Sequence, residues 1–373
     1  MSPSQMTVNT AENTITGSLR LYLEEQSRAD KFSGSVLVAK DGKTIFEFFS
    51  GLANKERNIR NGIDTKFNLG SANKMFTGVA IAQLVEAGKL DFQDAVGKHL
   101  PDYPNQTVRE QVTIYHLLTH TSGFGSFIDT DRRSEFLAAR AQLKNISDIL
   151  NLFKNRSLPH QIGELHYSSD GYEVLGAVIE AASGQNYYDY IRQHIYQVAN
   201  MSNTDNYEID PNNPRSDIAV GYTHRDPRTD KMLEGERFDN FGLNLFKGTA
   251  GGSGYSTITD LLYFTKALLE HRLLSPEMTE LVIAPKIYEG TKGNQTKYQG
   301  YGFQIFEIDG ITRVGHPGRF AGVNTRIDMF PKLGYTVITL SNYDPPAAFD
   351  VAEKATELIT HQIHVTNNTK SHN

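Results

Sequence analysis

Residues 71–88 read SANKMFTGVAIAQLVEAG, and the rest of the chain can be organised around them. From Ala72 to Ala87 the run is apolar almost all round, with Met75, Phe76, Val79, Ile81, Leu84 and Val85 spread over every face. A helix with no polar face is a buried one. Gly88 ends it, the residue best suited to the left-handed conformation that closes a helix. The same run opens on Ser71 and Lys74, three residues apart and therefore on one face, close enough to share a proton. A core helix that begins with a serine and a lysine sets the terms for both the fold and the chemistry.

On either side of it the periodicity changes. Ser35 to Phe49 reads as two strands joined at Asp41-Gly42, a pair that tolerates the positive φ values of a tight hairpin turn. The pattern returns near the other end, where Tyr301–Ile308 and Thr312–Val314 flank Asp309-Gly310, and strands come next at Thr325–Phe330 and Tyr335–Ser341 around a turn at Pro331–Gly334. Helical patterns bracket both groups, around Leu19–Leu23 and from Ala347 to His361 with Val351, Ala355, Leu358 and Ile359 on one stripe. The middle of the chain is helix-rich and includes a helix from Val174 to Ala182 ended by Gly184. The pattern predicts an α+β fold: one antiparallel sheet built by both chain ends, flanked by terminal helices, with a large helical insertion. Residues 1–65 and 285–373 would form the sheet lobe and 66–284 the helical lobe, with the site in the cleft between them. After about Thr366 the tail reads as solvated and frayed.

Composition narrows the function classes. The 373 residues carry a net charge of −6 with no basic cluster, which argues against a nucleic-acid partner. No apolar run reaches the roughly 18 residues of a transmembrane segment. There is no cysteine, so disulfides, thiol nucleophiles and cysteine-ligated metals are out. The opening stretch MSPSQMTVNTAENTI lacks a signal-peptide layout. The compartment is extracytoplasmic if a leader was removed and cytoplasmic otherwise.

The chemistry rests on three segments. At the start of the buried helix, unpaired N–H groups and the positive dipole end favour an oxyanion developing on a group attacked by Ser71. Lys74 can take the serine proton only when neutral, which requires burial or a neighbouring cation. A Ser-x-x-Lys spacing arises about once by chance in a chain this long, so it needs company. Tyr167, in Tyr167-Ser168-Ser169-Asp170, is delivered by a loop at the start of the next helix and can approach Ser71 as phenol or phenolate. His316-Pro317-Gly318-Arg319 lies between two strands of the terminal sheet. There Gly318 would let substrate backbone lie close to the strand, and the Arg319 N–H can complete an oxyanion hole with that of Ser71.

Taken in order, Ser71-x-x-Lys74, Tyr167-x-Ser169 and His316-x-Gly318 resemble the serine β-lactamase and penicillin-binding protein superfamily. The branch looks like the class C β-lactamases, DD-carboxypeptidases, D-aminopeptidases and related family VIII-type esterases. Phe67-Asn68-Leu69-Gly70, Leu117-Leu118-Thr119-His120-Thr121-Ser122-Gly123, Ala250-Gly251-Gly252-Ser253-Gly254-Tyr255-Ser256 and a Tyr301-Gly302-Phe303 strand fit the same pattern. The resemblance spans roughly residues 30 to 345. It implies that Ser71 is acylated, that Lys74 and Tyr167 share the proton transfers, and that the N–H groups of Ser71 and Arg319 hold the oxyanion. Ser169, His316 and Gly318 would bind substrate, a small molecule or short peptide, with no metal or organic cofactor. Two positions depart from the family pattern. Ser169 stands where an asparagine is usual, and His316-Pro317-Gly318 stands where β-lactamases carry Lys-Thr-Gly, removing a permanent cation and a backbone donor. The losses at His316 and Pro317 weaken recognition of a carboxylate, and the shorter Ser169 hydroxyl weakens the hold on substrate and on Lys74. They place an esterase or D-peptidase ahead of a true β-lactamase.

Three other readings fit less well. An α/β-hydrolase needs Gly-x-Ser-x-Gly, and Gly251-Gly252-Ser253-Gly254-Tyr255 misses at its last position. The pairs His116/His120 and His361/His364 lack the glutamate of a zinc-protease helix and read as packing and capping residues. A non-catalytic, peptidoglycan-binding relative would have little use for Ser71, Lys74 and Tyr167 together.

Overall fold

The computed structural model describes residues 3–128, 132–210, 213–226, 229 and 231–370. Its frame is an eight-stranded antiparallel sheet. The strands are β1 (Gly34–Lys40), β2 (Lys43–Ser50), β3 (Ile287–Lys292), β4 (Gln295–Gln299), β5 (Gln304–Ile308), β6 (Ile311–Phe320), β7 (Val323–Phe330) and β8 (Tyr335–Ser341). In space they run β2-β1-β8-β7-β6-β5-β4-β3, so the first strand of the chain lies beside the last, with Gly34 opposite Ser341.

Five helices build the layers around this sheet: α1 (Pro3–Arg28), α2 (Lys74–Glu86), α3 (Asp170–Ser183), α4 (Ile258–Leu269) and α5 (Ala347–Lys370). α1 and α5 pack against each other and cover one face of the sheet. Ile15, Leu19 and Leu23 from α1 and Val351, Ala355 and Ile359 from α5 meet Val36, Val38 and Val337 there. The opposite face presents Leu37, Ala39, Ile338 and Leu340 to a larger core that takes in α2, α3 and α4. Alternate residues of β1 and β8 therefore feed two cores, which is why both strands are buried along nearly their whole length. At about 1.5–3 kcal/mol for each fully buried aliphatic side chain, these layers outweigh any surface contact.

The fold class is as the sequence predicts, with local differences. α1 begins at Pro3, well before the expected stripe. α5 is still helical at Lys370, past the point where fraying was expected, and residues 371–373 lie outside the described residues. The hairpin of β3 and β4 has no counterpart among the expected strands. Tyr301-Gly302-Phe303 is not strand, because β5 starts only at Gln304. Gly302 turns with φ +84° to pass α2 at Gly78, where an added Cβ would sit 2.3 Å from the Tyr301 carbonyl oxygen. β6 runs unbroken through His316-Pro317-Gly318-Arg319, so this motif lies within a strand and not between two. β5 pairs with β6 only as far as Gly315. Pro317 thus stands where the strand has a single neighbour, β7, and a missing N–H is tolerated.

Candidate active site

Ser71 is placed by a short, heavily tied backbone segment. Phe67 and Asn68 pair with Ser256 and Tyr255, Leu69 N–H donates to the Gly254 carbonyl at 2.7 Å, and Gly70 N–H donates to Asn68 Oδ1 at 2.8 Å. Gly70 then turns with φ +50° into a 3-10 turn spanning Gly70–Asn73, and α2 takes over at Lys74. In a 3-10 turn, side chains three apart eclipse, so Ser71 and Lys74 stack.

Lys74 is fully buried, and its ammonium has an acceptor for each of its three protons. Nζ lies 2.5 Å from the Gly251 carbonyl oxygen, 3.4 Å from Ser71 Oγ and 3.4 Å from Ser169 Oγ. It also sits 5.0 Å from the ring centroid of Tyr167 and 5.3 Å from that of Tyr172, a cation–π arrangement. The loop that supplies Gly251 is bound to the helix at three successive carbonyls. Asn73 Nδ2 donates to Thr249 O, Thr77 Oγ1 to Ala250 O and Lys74 Nζ to Gly251 O.

Tyr167 reaches the site from the loop before α3 and stays 43% exposed. It rests on His120, with ring centroids 4.2 Å apart, and His120 rests in turn on Tyr172 at 5.1 Å. His120 has φ +61°; its Nδ1 accepts from Ser168 N–H at 3.1 Å and its carbonyl from His166 N–H at 2.9 Å. Complete burial holds this imidazole well below its ordinary proton affinity, and Lys74 and His316 add to the effect. His116 is accounted for as well: it forms a capping box with Thr113 at the start of Ile114–Leu118.

The third motif lies on the open edge of β6. An added Cβ at Gly70 would come within 2.8 Å of the Arg319 backbone nitrogen, so the Ser71 turn and the Arg319 amide are packed against each other. The space over Gly318 is filled by the chain itself: a Cβ there would be 1.9 Å from the Leu69 carbonyl oxygen, which Thr325 Oγ1 also contacts at 2.9 Å. His316 is buried behind Tyr167, ring centroids 6.3 Å apart, and its Nδ1 contacts the Pro317 carbonyl at 2.6 Å. Burial, reinforced by Lys74, pushes its value down to about 3, so the ring is neutral at physiological pH and adds no cation.

A cavity of about 330 Å³ opens over Ser71 between Tyr167, Ser169 and Arg319, and Arg133 and Arg225 also line it. A second, mostly apolar pocket also touches Ser71 and is walled by Phe127, Ile128, Phe136, Leu245 and Phe320. The structure therefore brings Ser71, Lys74, Tyr167, Ser169 and Arg319 together, and sets His316 and Gly318 beneath them. A hydroxyl beside a lysine, at the mouth of a partly apolar pocket, is an arrangement suited to nucleophilic attack on an acyl carbon. His120, read from the sequence as a packing residue, supports Tyr167. One contributor escapes a reading of the sequence: Glu173, whose carboxylate holds the Gly251 loop. Among the described residues, no group of three or more His, Asp or Glu is placed to hold a metal ion, and no helix is long and apolar enough to cross a membrane.

Comparison with known proteins agrees with this fold. The model of the Beta-lactamase family matches residues 22–362. PbpX of Bacillus subtilis (strain 168), described as a putative penicillin-binding protein, is 28% identical over 309 residues, 83% of this chain and 70% of its own. A second penicillin-binding protein of that organism is 28% identical over 344 residues, covering 90% and 73%. Among solved structures, a penicillin-binding protein from Bacillus halodurans superposes with a TM-score of 0.78 at 29% identity, covering 91% of this chain and 98% of that one. At lower identity the fold is shared with a D-amino acid amidase from Ochrobactrum anthropi (20%, TM-score 0.74, 94% and 99% covered). It is shared also with the hydrolase EstCE1 (19%, TM-score 0.72, 96% and 100% covered).

Proposed function

The chain belongs to the Beta-lactamase family, and from that premise we propose that it is a serine hydrolase working through an acyl-enzyme on Ser71. Its substrates are esters, or amides of D-amino-acid peptides, rather than β-lactams. The observation that carries this reading is the position of Lys74 Nζ, 3.4 Å from Ser71 Oγ, in a buried niche beneath an open cavity.

In the proposed cycle, Ser71 Oγ attacks the acyl carbon and its proton passes to Lys74 or Tyr167. The N–H groups of Ser71 and Arg319 hold the tetrahedral oxyanion, the interaction that usually contributes most to such a reaction. The leaving group departs with that proton. Water then attacks the acyl-enzyme by the same route, and Ser71 is regenerated. The preference against β-lactams is supported by His316. A β-lactam carries a carboxylate that a cation at this position would recognise, and a buried neutral imidazole offers none. The apolar pocket beside Ser71 suits an uncharged acyl group.

The test is intact-protein mass spectrometry after incubation with p-nitrophenyl esters, D-amino-acid amides, a penicillin and a fluorophosphonate. The expected result is an adduct on Ser71, fast turnover of esters or D-amides, and slow turnover of the penicillin. A chain that none of these reagents acylates would be a binding relative and not an enzyme.

A further inference from the structure

Glu173 lies four residues beyond Ser169, on the first turn of α3, and is completely enclosed. Its Oε1 accepts from Thr249 Oγ1 at 2.5 Å and from Gly251 N–H at 3.0 Å, while Oε2 has no hydrogen-bond partner among the described residues. The carboxylate fits only because residue 251 is a glycine: an added Cβ would lie 2.6 Å from Oε1. The carbonyl of the same glycine receives Lys74 Nζ. Gly251 is therefore gripped on its N–H side by a carboxylate and on its C=O side by the lysine that contacts Ser71.

We propose that Glu173 is a positioning residue for acylation, its carboxylate fixing Gly251 and, through Gly251, the place of the Lys74 ammonium between Ser71 and Ser169. This rests on the serine-hydrolase reading. The groups that face the carboxyl are Lys74 from α2, Asp170 from its own helix, Tyr187 and Tyr188 from the helix Tyr187–Ile191, and Thr249 from the loop. Burial raises the carboxyl to about 7; Thr249, Gly251 and Lys74 pull it down and Asp170 opposes them. Its charge is thus gained and lost within the range where hydrolases work. Below that point the grip on Gly251 loses its charge-assisted character, and such bonds are roughly twice as strong as neutral ones.

The measurement is the rate of fluorophosphonate labelling of the full chain between pH 5 and 9, with the site mapped by mass spectrometry. The expected wild-type rate rises through a limb near neutrality. Glu173→Gln keeps one acceptor oxygen in a side chain of the same shape, so it should melt near the wild-type temperature, label Ser71 roughly tenfold more slowly at pH 8, and lack the limb. Thr249→Val removes a donor that stabilises the charged form, so its limb should move to higher pH. A folded Gln variant with the wild-type rate and limb overturns the proposal, as does an unmoved limb in Thr249→Val if the Gln variant fails to fold. A wild-type chain that takes up no label at any pH sinks the hydrolase reading itself, and this proposal with it.

Discussion

Lys74 Nζ stands closer to the Gly251 carbonyl, at 2.5 Å, than to the hydroxyl of Ser71, at 3.4 Å. In the resting state the lysine is thus held by the loop behind it and only loosely by the nucleophile. To receive the serine proton it must first give up a proton of its own and slacken that hold, which fits an apo site whose catalytic contacts tighten when substrate arrives.

Ser71→Ala should abolish hydrolysis of an activated ester while leaving the melting temperature within about a degree or two of wild type, since removing one half-buried hydroxyl that borders a cavity changes stability little. Lys74→Ala should lower the acylation rate by roughly 10²- to 10⁴-fold, the usual share of a proton-transfer group. Lys74→Arg should not rescue it, because a guanidinium never gives up its proton at working pH. Stopped-flow burst kinetics with a p-nitrophenyl ester would check all three, and unchanged turnover in Ser71→Ala would end the case for this nucleophile.

Gly318→Ala drives a methyl group into the Leu69 carbonyl. Overpacking of this kind costs about 1–3 kcal/mol, more where only backbone can yield. The variant should melt several degrees lower, and where it folds it should also acylate slowly, because β6 can relieve the clash only by moving Arg319 away from the Ser71 turn. Thermal denaturation and labelling rate, read on one sample, separate the two effects.

His316 gives a signed pH prediction. Its folded value, about 3, lies below the ordinary 6.5, so the folded chain binds fewer protons there than the unfolded chain does. The stability it contributes is present above pH 6.5 and lost as pH falls toward 3, and buried His120 acts in the same direction. Wild type should therefore lose stability relative to His316→Gln over that interval. The imidazole resonances of His316 should keep neutral-form shifts down to about pH 4. Titration of that ring near its ordinary value by NMR would contradict the buried placement.

His120→Ala removes the ring between Tyr167 and Tyr172 and the acceptor for Ser168 N–H. Tyr167 then loses its backing, and a displacement of about 1 Å at a reacting group can cost up to ~10²-fold. The expected phenotype is a fall in kcat with little change in KM. A KM effect alone would show that Tyr167 binds substrate without moving protons.

What can be read from sequence is whatever local chemistry settles. Asp41-Gly42 and Asp309-Gly310 both adopt positive φ, at 49° and 70° and at 49° and 80°, so each hairpin turn is legible in two residues. The buried helix after Ser71 declares itself by lacking a polar face, and the Ser71, Lys74 and Tyr167 constellation by its order. The hairpin of β3 and β4 escapes because it lies at the sheet edge, where most of its residues are partly or fully exposed and no apolar alternation is needed. The segment around His316 reads as a connection because Pro317 usually argues against a strand, and only the loss of β5 beyond Gly315 shows why it is allowed. Glu173 gives no sign at all. An acid beside Val174 and Leu175 looks like the solvated side of a helix until Thr249, 76 residues later, folds down upon it.

The seating of β1 against β8 also bears on how the chain is made. On the ribosome Ser71 and the helices α2 to α4 emerge long before β6 and its Arg319, and the centre of the sheet has to wait until the far end of the chain is synthesised. Such distant pairing is slow to form and leaves the early strand β1 with an unmated edge in the meantime. Until β6 is made, the serine and the lysine have no opposing Arg319 amide, so the site is completed only by the far end of the chain.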